Sequence, residues 1–93
     1  MYYPNSFPID FGHKLIRAIA KADLKFGGQY YSSFEYVEDE QTFETDCDIH
    51  LTLEEAMDSL VVQAEKYGLK IGRADFVVDM LEGKAICDIA EMR

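Results

Sequence analysis

The sequence predicts an α+β domain: a two-layer sandwich in the order α-β-β-α-β-β, with a four-stranded sheet carrying two helices on one face. Three observations carry this expectation. Two stretches repeat apolar residues at three- and four-residue steps, the spacing of a helix with one buried face. Two others alternate apolar and polar residues, the spacing of half-buried strands. The 93 residues suffice for one domain, residues 1–93, around one core.

Residues 1–9 are aromatic and broken by prolines, so they are expected as an extended N-terminal arm. Asp10 is the expected N-cap of the first helix. Phe11, Leu15, Ala18, Ile19, Ala22 and Phe26 would form its buried stripe, with Lys14, Arg17, Lys21 and Lys25 on the other side. Gly27-Gly28 would end it.

Residues 29–37 and 42–51 are the expected first hairpin, turning through Glu38-Asp39-Glu40-Gln41. Parity pairs Tyr36 with Phe43, Phe34 with Thr45, Ser32 with Cys47 and Tyr30 with Ile49 on the core face. The same register puts Glu35 with Glu44, Ser33 with Asp46 and Tyr31 with Asp48 on the outer face, and adds His50 to it.

Thr52-x-x-Glu55 is a capping box that opens the second helix. Leu53, Ala56, Met57, Leu60, Val61, Ala64 and Tyr67 make its buried stripe, Val62 falls outside it, and Gly68 is the C-cap. Residues 73–81 and 84–92 form the second hairpin, turning at Glu82-Gly83, with Val78 and Ala85 on one face and Val77 and Ile86 on the other. A short helix over 74–82 fits the same residues; the β-rich composition favours strand. This element order is a circular permutation of the ferredoxin-like β-α-β-β-α-β order. It would place the strands at 42–51 and 84–92 side by side in the centre.

The charge is concentrated. The chain carries −9 overall. Up to residue 28, Lys14, Arg17, Lys21 and Lys25 outnumber Asp10 and Asp23 by two, so the remainder carries −11. Between Phe26 and Glu65 there are eleven acidic residues and no lysine or arginine. A surface of this sign repels nucleic acid and anionic membranes within a Debye length of about 8–10 Å. No run approaches the roughly 18 apolar residues of a membrane span, the start resembles no secretory signal, and the expected compartment is the cytoplasm. Cys47 and Cys87 lack metal-site spacing and are expected buried and reduced.

Catalysis is not expected. Cys47 and His50, three apart on a strand, would face opposite ways and form no nucleophile–base pair. Glu44, Asp46, Asp48 and His50 would lie in a flat row at about 6.8 Å intervals, too wide to converge on one ion. No metal or cofactor is therefore expected, and no glycine-rich phosphate loop is present. The expected function is a small acidic interaction module, an inhibitor or adaptor of the type carried by phage or mobile elements. It would present Glu35, Glu38, Asp39, Glu40, Glu44, Asp46 and Asp48 to a basic or nucleic-acid-binding surface of a protein partner. Carboxylates at twice the 3.4 Å charge spacing of a nucleic-acid strand would suit such a surface. The bland reading of the same row is a solvated sheet face that resists aggregation. The alternative is a homodimeric small-ligand-binding domain using the open sheet face, with Tyr31, Val37, Val77 and Ile86 as its lining.

Overall fold

In the computed structural model, which describes residues 9–23, 27–45 and 47–92 (9–11 by their backbone alone), a strand occupies the middle of the segment expected as the first helix. This strand, β1 (Leu15–Ala22), pairs antiparallel with β2 (Tyr30–Glu38) on one side and β6 (Lys84–Asp88) on the other. β3 (Gln41–Glu44) and β4 (Asp48–His50) both pair with β2, and β5 (Val77–Asp79) pairs with β6. The six strands make one antiparallel sheet in the order β3-β2-β1-β6-β5, with β4 alongside β3 on β2. The one α-helix among the described residues, α1 (Leu53–Lys66), packs across β1 and β2.

The expectation of four strands under two helices is therefore corrected to six strands under one helix. The ferredoxin-like permutation falls with it, since β1 is central and the 42–51 segment lies at an edge. The cause lies in three alanines, Ala18, Ala20 and Ala22. Arg17, Ile19 and Lys21 alternate with Ile16, Ala18, Ala20 and Ala22, but alanine favours helices and hid the alternation. In the fold Ala18 and Ala20 are fully buried beneath α1, where their small size lets the helix approach the sheet. A bulge between Leu15 and Arg17 turns Leu15 to the same buried side. Among the described residues of the expected first helix, only a 3-10 segment, Ile9–Lys14, is helical. There Gly12 lies buried against the Tyr67 carbonyl at the end of α1. The expected arm over residues 1–9 lies, but for Ile9, outside the described residues.

The helix α1 has the ends expected of it. Thr52 Oγ1 accepts from the Glu55 backbone N–H at 3.1 Å, and Glu55 Oε1 accepts in return from the Leu51 N–H at 3.2 Å, one residue earlier than in the reciprocal box. At the other end Gly68 has φ +76, and Leu69 N–H closes onto Ala64 O at 2.9 Å. Its buried residues are Leu53, Ala56, Met57, Leu60 and Ala64, while Val62 is exposed. They meet Leu15, Phe34, Phe76, Ala85, Cys87 and Ile89 in one core. The second hairpin keeps the expected faces, with Val77 opposite Ile86 and Val78 opposite Ala85, but four residues, 80–83, connect its strands in place of the expected Glu82-Gly83 turn; the strands are shorter than expected and follow a 3-10 turn at Arg73–Asp75.

The first hairpin keeps its expected register only near the turn. Glu35 lies opposite Glu44 and Tyr36 opposite Phe43. Glu38 and Gln41 flank a two-residue turn whose central residues, Asp39 and Glu40, have φ +52 and +64. Positive φ at both positions marks the type I′ turn, which Asn-Gly adopts with far less strain than Asp-Glu. Asp39→Asn combined with Glu40→Gly is accordingly expected to stabilise the fold by about 1 kcal/mol. Urea denaturation checks this, and a lowered midpoint would contradict the turn geometry.

Candidate functional site

Beyond Glu44 the pairing slips by one residue. Tyr30 now faces His50, Tyr31 faces Ile49 and Ser32 faces Asp48. The slip is anchored at Thr45. Its N–H donates to Phe34 O at 2.8 Å, and its hydroxyl accepts from Phe34 N–H at 2.9 Å. The threonine side chain thus replaces a backbone acceptor of the ladder, which lets the chain carry an extra residue there. A one-residue slip moves every later side chain to the other face. Asp48 and His50, expected beside Glu44, therefore lie on the α1 side, and Ile49 lies on the open side.

The expected acidic residues divide accordingly. Glu35 and Glu44 lie side by side on the open face. Glu35 forms an ion pair with Arg17 of β1, directly opposite it in the sheet. Glu44 accepts from Ser33 Oγ at 2.9 Å. Glu38 is bound by Lys14 Nζ at 2.9 Å, while Asp39 and Glu40 project from the turn, exposed. Asp46 lies outside the described residues. Asp48 accepts from Gln63 Nε2 of α1 at 3.1 Å. The acidic residues thus form a cluster at the β2–β3 end, with Asp48 separated from it by the sheet.

The chain's own cations were the part missed. Helical spacing places Lys14 and Arg17 on a helix face, where nothing ties them to the hairpin. Read as a strand, Arg17-x-Ile19-x-Lys21 alternates, and a central strand would have put Arg17 next to a carboxylate. Two of the five described carboxylates of the cluster, Glu35 and Glu38, have cationic partners. Asp39, Glu40 and Glu44 form no ion pair among the described residues. Tyr31, on the same face, has its phenol pushed up, first by burial and then by the Glu44 charge.

On the α1 side Asp48 and His50 line an open groove of about 560 Å³ with Glu55, Asp58, Ser59, Val62, Gln63 and Lys66. His50 Nε2 lies 2.9 Å from the Oγ of the buried Ser32. Among the described residues no group of histidine, cysteine and carboxylate side chains is arranged to hold a metal ion. Cys87 is buried, its thiol pushed up to about 11 chiefly by burial and further by Asp75 and Asp88. Cys47, expected buried, is exposed, because it sits in the bulged stretch between β3 and β4. The two thiols are free. No described helix is long and apolar enough to cross a membrane. Compared with known proteins, the chain matches no family model, no curated protein and no solved structure.

Proposed function

We propose that the protein is a non-catalytic interaction module whose acidic hairpin docks on a basic surface of a protein partner. The observation that carries this reading is the β2–β3 end of the sheet. There Glu35, Glu38, Asp39, Glu40 and Glu44 are gathered at one corner, with Lys14 and Arg17 as the only ion-pair partners among the described residues. Asp39 and Glu40 stand on a tight two-residue turn, so their charges are presented with little conformational freedom to lose on docking. A partner surface evolved to hold nucleic acid would suit such a corner, and an inhibitor or adaptor would use it in this way. Asp48, on the other side of the sheet, belongs to the contact only if the partner wraps the edge. Asp46 is retained from the sequence as a candidate. The reading takes the cytoplasm as the compartment, in keeping with two free thiols.

The test is the association rate with a partner isolated on the immobilised protein. Exposed charges of one sign mainly accelerate encounter. Replacing Asp39, Glu40 and Glu44 by their amides is expected to slow association about 10-fold at low salt, change dissociation less, and flatten the salt dependence. Asp48→Asn alone measures whether the far side takes part. Equal rates and equal salt slopes for wild type and the triple variant would reduce the corner to solvated surface.

A further inference from the structure

The two edges of the sheet are built differently. The β3–β4 edge is interrupted between residues 44 and 48 and carries the acidic corner, two devices that keep other strands away. The opposite edge, β5, has neither. Val77-Val78-Asp79 contains no proline, lysine or bulge, and among the described residues no strand pairs with its outer side. Its surroundings are apolar: Val77 is 78% exposed, Met80 73% and Leu81 99%. The loop that carries Met80 and Leu81 is held in shape, because Asp79 Oδ1 accepts from the Leu81 and Glu82 N–H groups, each at 3.1 Å. The same two bonds engage the Asp79 carboxylate within its own loop.

We propose that β5 pairs with β5 of a second copy of this chain, antiparallel and across a two-fold axis, so that two sheets become one. Residues opposite each other in a sheet share a face. An axis passing through Val78 therefore keeps both α1 helices on the same side. Val77, Val78, Met80 and Leu81 expose on the order of 500 Å² per copy, so the pair would bury at most roughly 1,000 Å², the size of a weak, reversible interface.

The charge distribution selects a second copy as the occupant. A chain of net charge −9 should repel itself, but its acidic corner lies at the far edge, and around β5 Asp75, Asp79 and Glu82 are nearly balanced by Arg73 and Lys84, a local net charge of −1. With strands about 4.8 Å apart, joining at β5 leaves the two acidic edges about 40 Å from each other. That is several times the Debye length of about 8 Å at physiological salt. Joining at any other edge would bring them together. This inference does not depend on the docking role of the acidic corner.

Sedimentation velocity from about 5 to 500 μM protein tests it. The expected result is a monomer–dimer equilibrium with Kd on the order of 10–100 μM, as suits an interface of this size. Val77→Lys and Leu81→Asp, both at exposed positions and checked for folding by circular dichroism, should each weaken it 10-fold or more. Raising salt from about 0.15 to 0.5 M should change Kd less than about 3-fold, because the like charges are already screened. A wild type still monomeric at 500 μM overturns the proposal. So does a dimer that neither substitution weakens, or one that salt strengthens 10-fold or more.

Discussion

Gly12→Ala is expected to destabilise the protein by about 3 kcal/mol, although it adds one methyl group. A Cβ built at Gly12 would stand 2.1 Å from the Tyr67 carbonyl oxygen and 3.2 Å from its carbonyl carbon. These are backbone atoms at the C-terminal end of α1, fixed by the closing bonds of Gly68 and Leu69, so no side chain can rotate away to make room. The 3-10 segment Ile9–Lys14 would have to lift from the helix. Leu15, the first residue of β1 and fully buried, follows it directly and would be pulled with it. Urea denaturation of wild type and variant is the measurement. An unchanged midpoint would mean that this segment does not pack on the end of α1.

Phe34→Ala should cost about 3–5 kcal/mol. A domain of this size has about 5–14 kcal/mol in all, so the variant would lie close to its unfolding limit. Phe34 is fully buried, sits opposite Ala18 in the sheet and meets the Tyr67 ring edge-on at a centroid distance of 5.5 Å. Removing the ring leaves a cavity between β1 and the end of α1, and β1, paired on both sides, cannot collapse into it without breaking the sheet. Phe43 provides the comparison. It stacks on Tyr36 at 5.7 Å but remains 42% exposed, and Phe43→Ala should cost less than half as much. Similar losses from the two substitutions, by thermal or urea denaturation, would show that the hairpin packs otherwise.

That pair also shows how far the sequence could be read. Alternation placed Phe34 and Phe43 on one face, correctly, but could not say that α1 covers only the first. The helix itself was legible at both ends, because Thr52, Glu55 and Gly68 each carry a local signal independent of the rest of the fold. The faces of Val77 and Ile86, and of Val78 and Ala85, were legible from alternation alone, although the turn that sets their pairing is two residues longer than expected. What failed depended on distant partners. Ala18 and Ala20 belong to a strand only because β2 and β6 lie on either side of them. The acidic character of the hairpin was plain from composition, but its division between two faces turned on one hydroxyl, that of Thr45, taking the place of a backbone group. The Lys14–Glu38 and Arg17–Glu35 pairs were hidden by the same misassigned strand.

The central position of β1 has a consequence for how the chain reaches this structure. Its partner β6 lies near the other end of the sequence: Ala18 faces Cys87, and Ile19 faces Ile86. Such a pairing closes a loop of more than sixty residues, from Ala18 to Cys87, which makes nucleation slow relative to domains held by neighbouring segments. During synthesis the β2–β4 segment and α1 emerge first, while the second neighbour of β1 is still missing. Through that interval the local preference of its alanines is helical, the same preference that misleads the reading of the sequence. The arrival of residues 84–88 is then what commits the first part of the chain to the sheet.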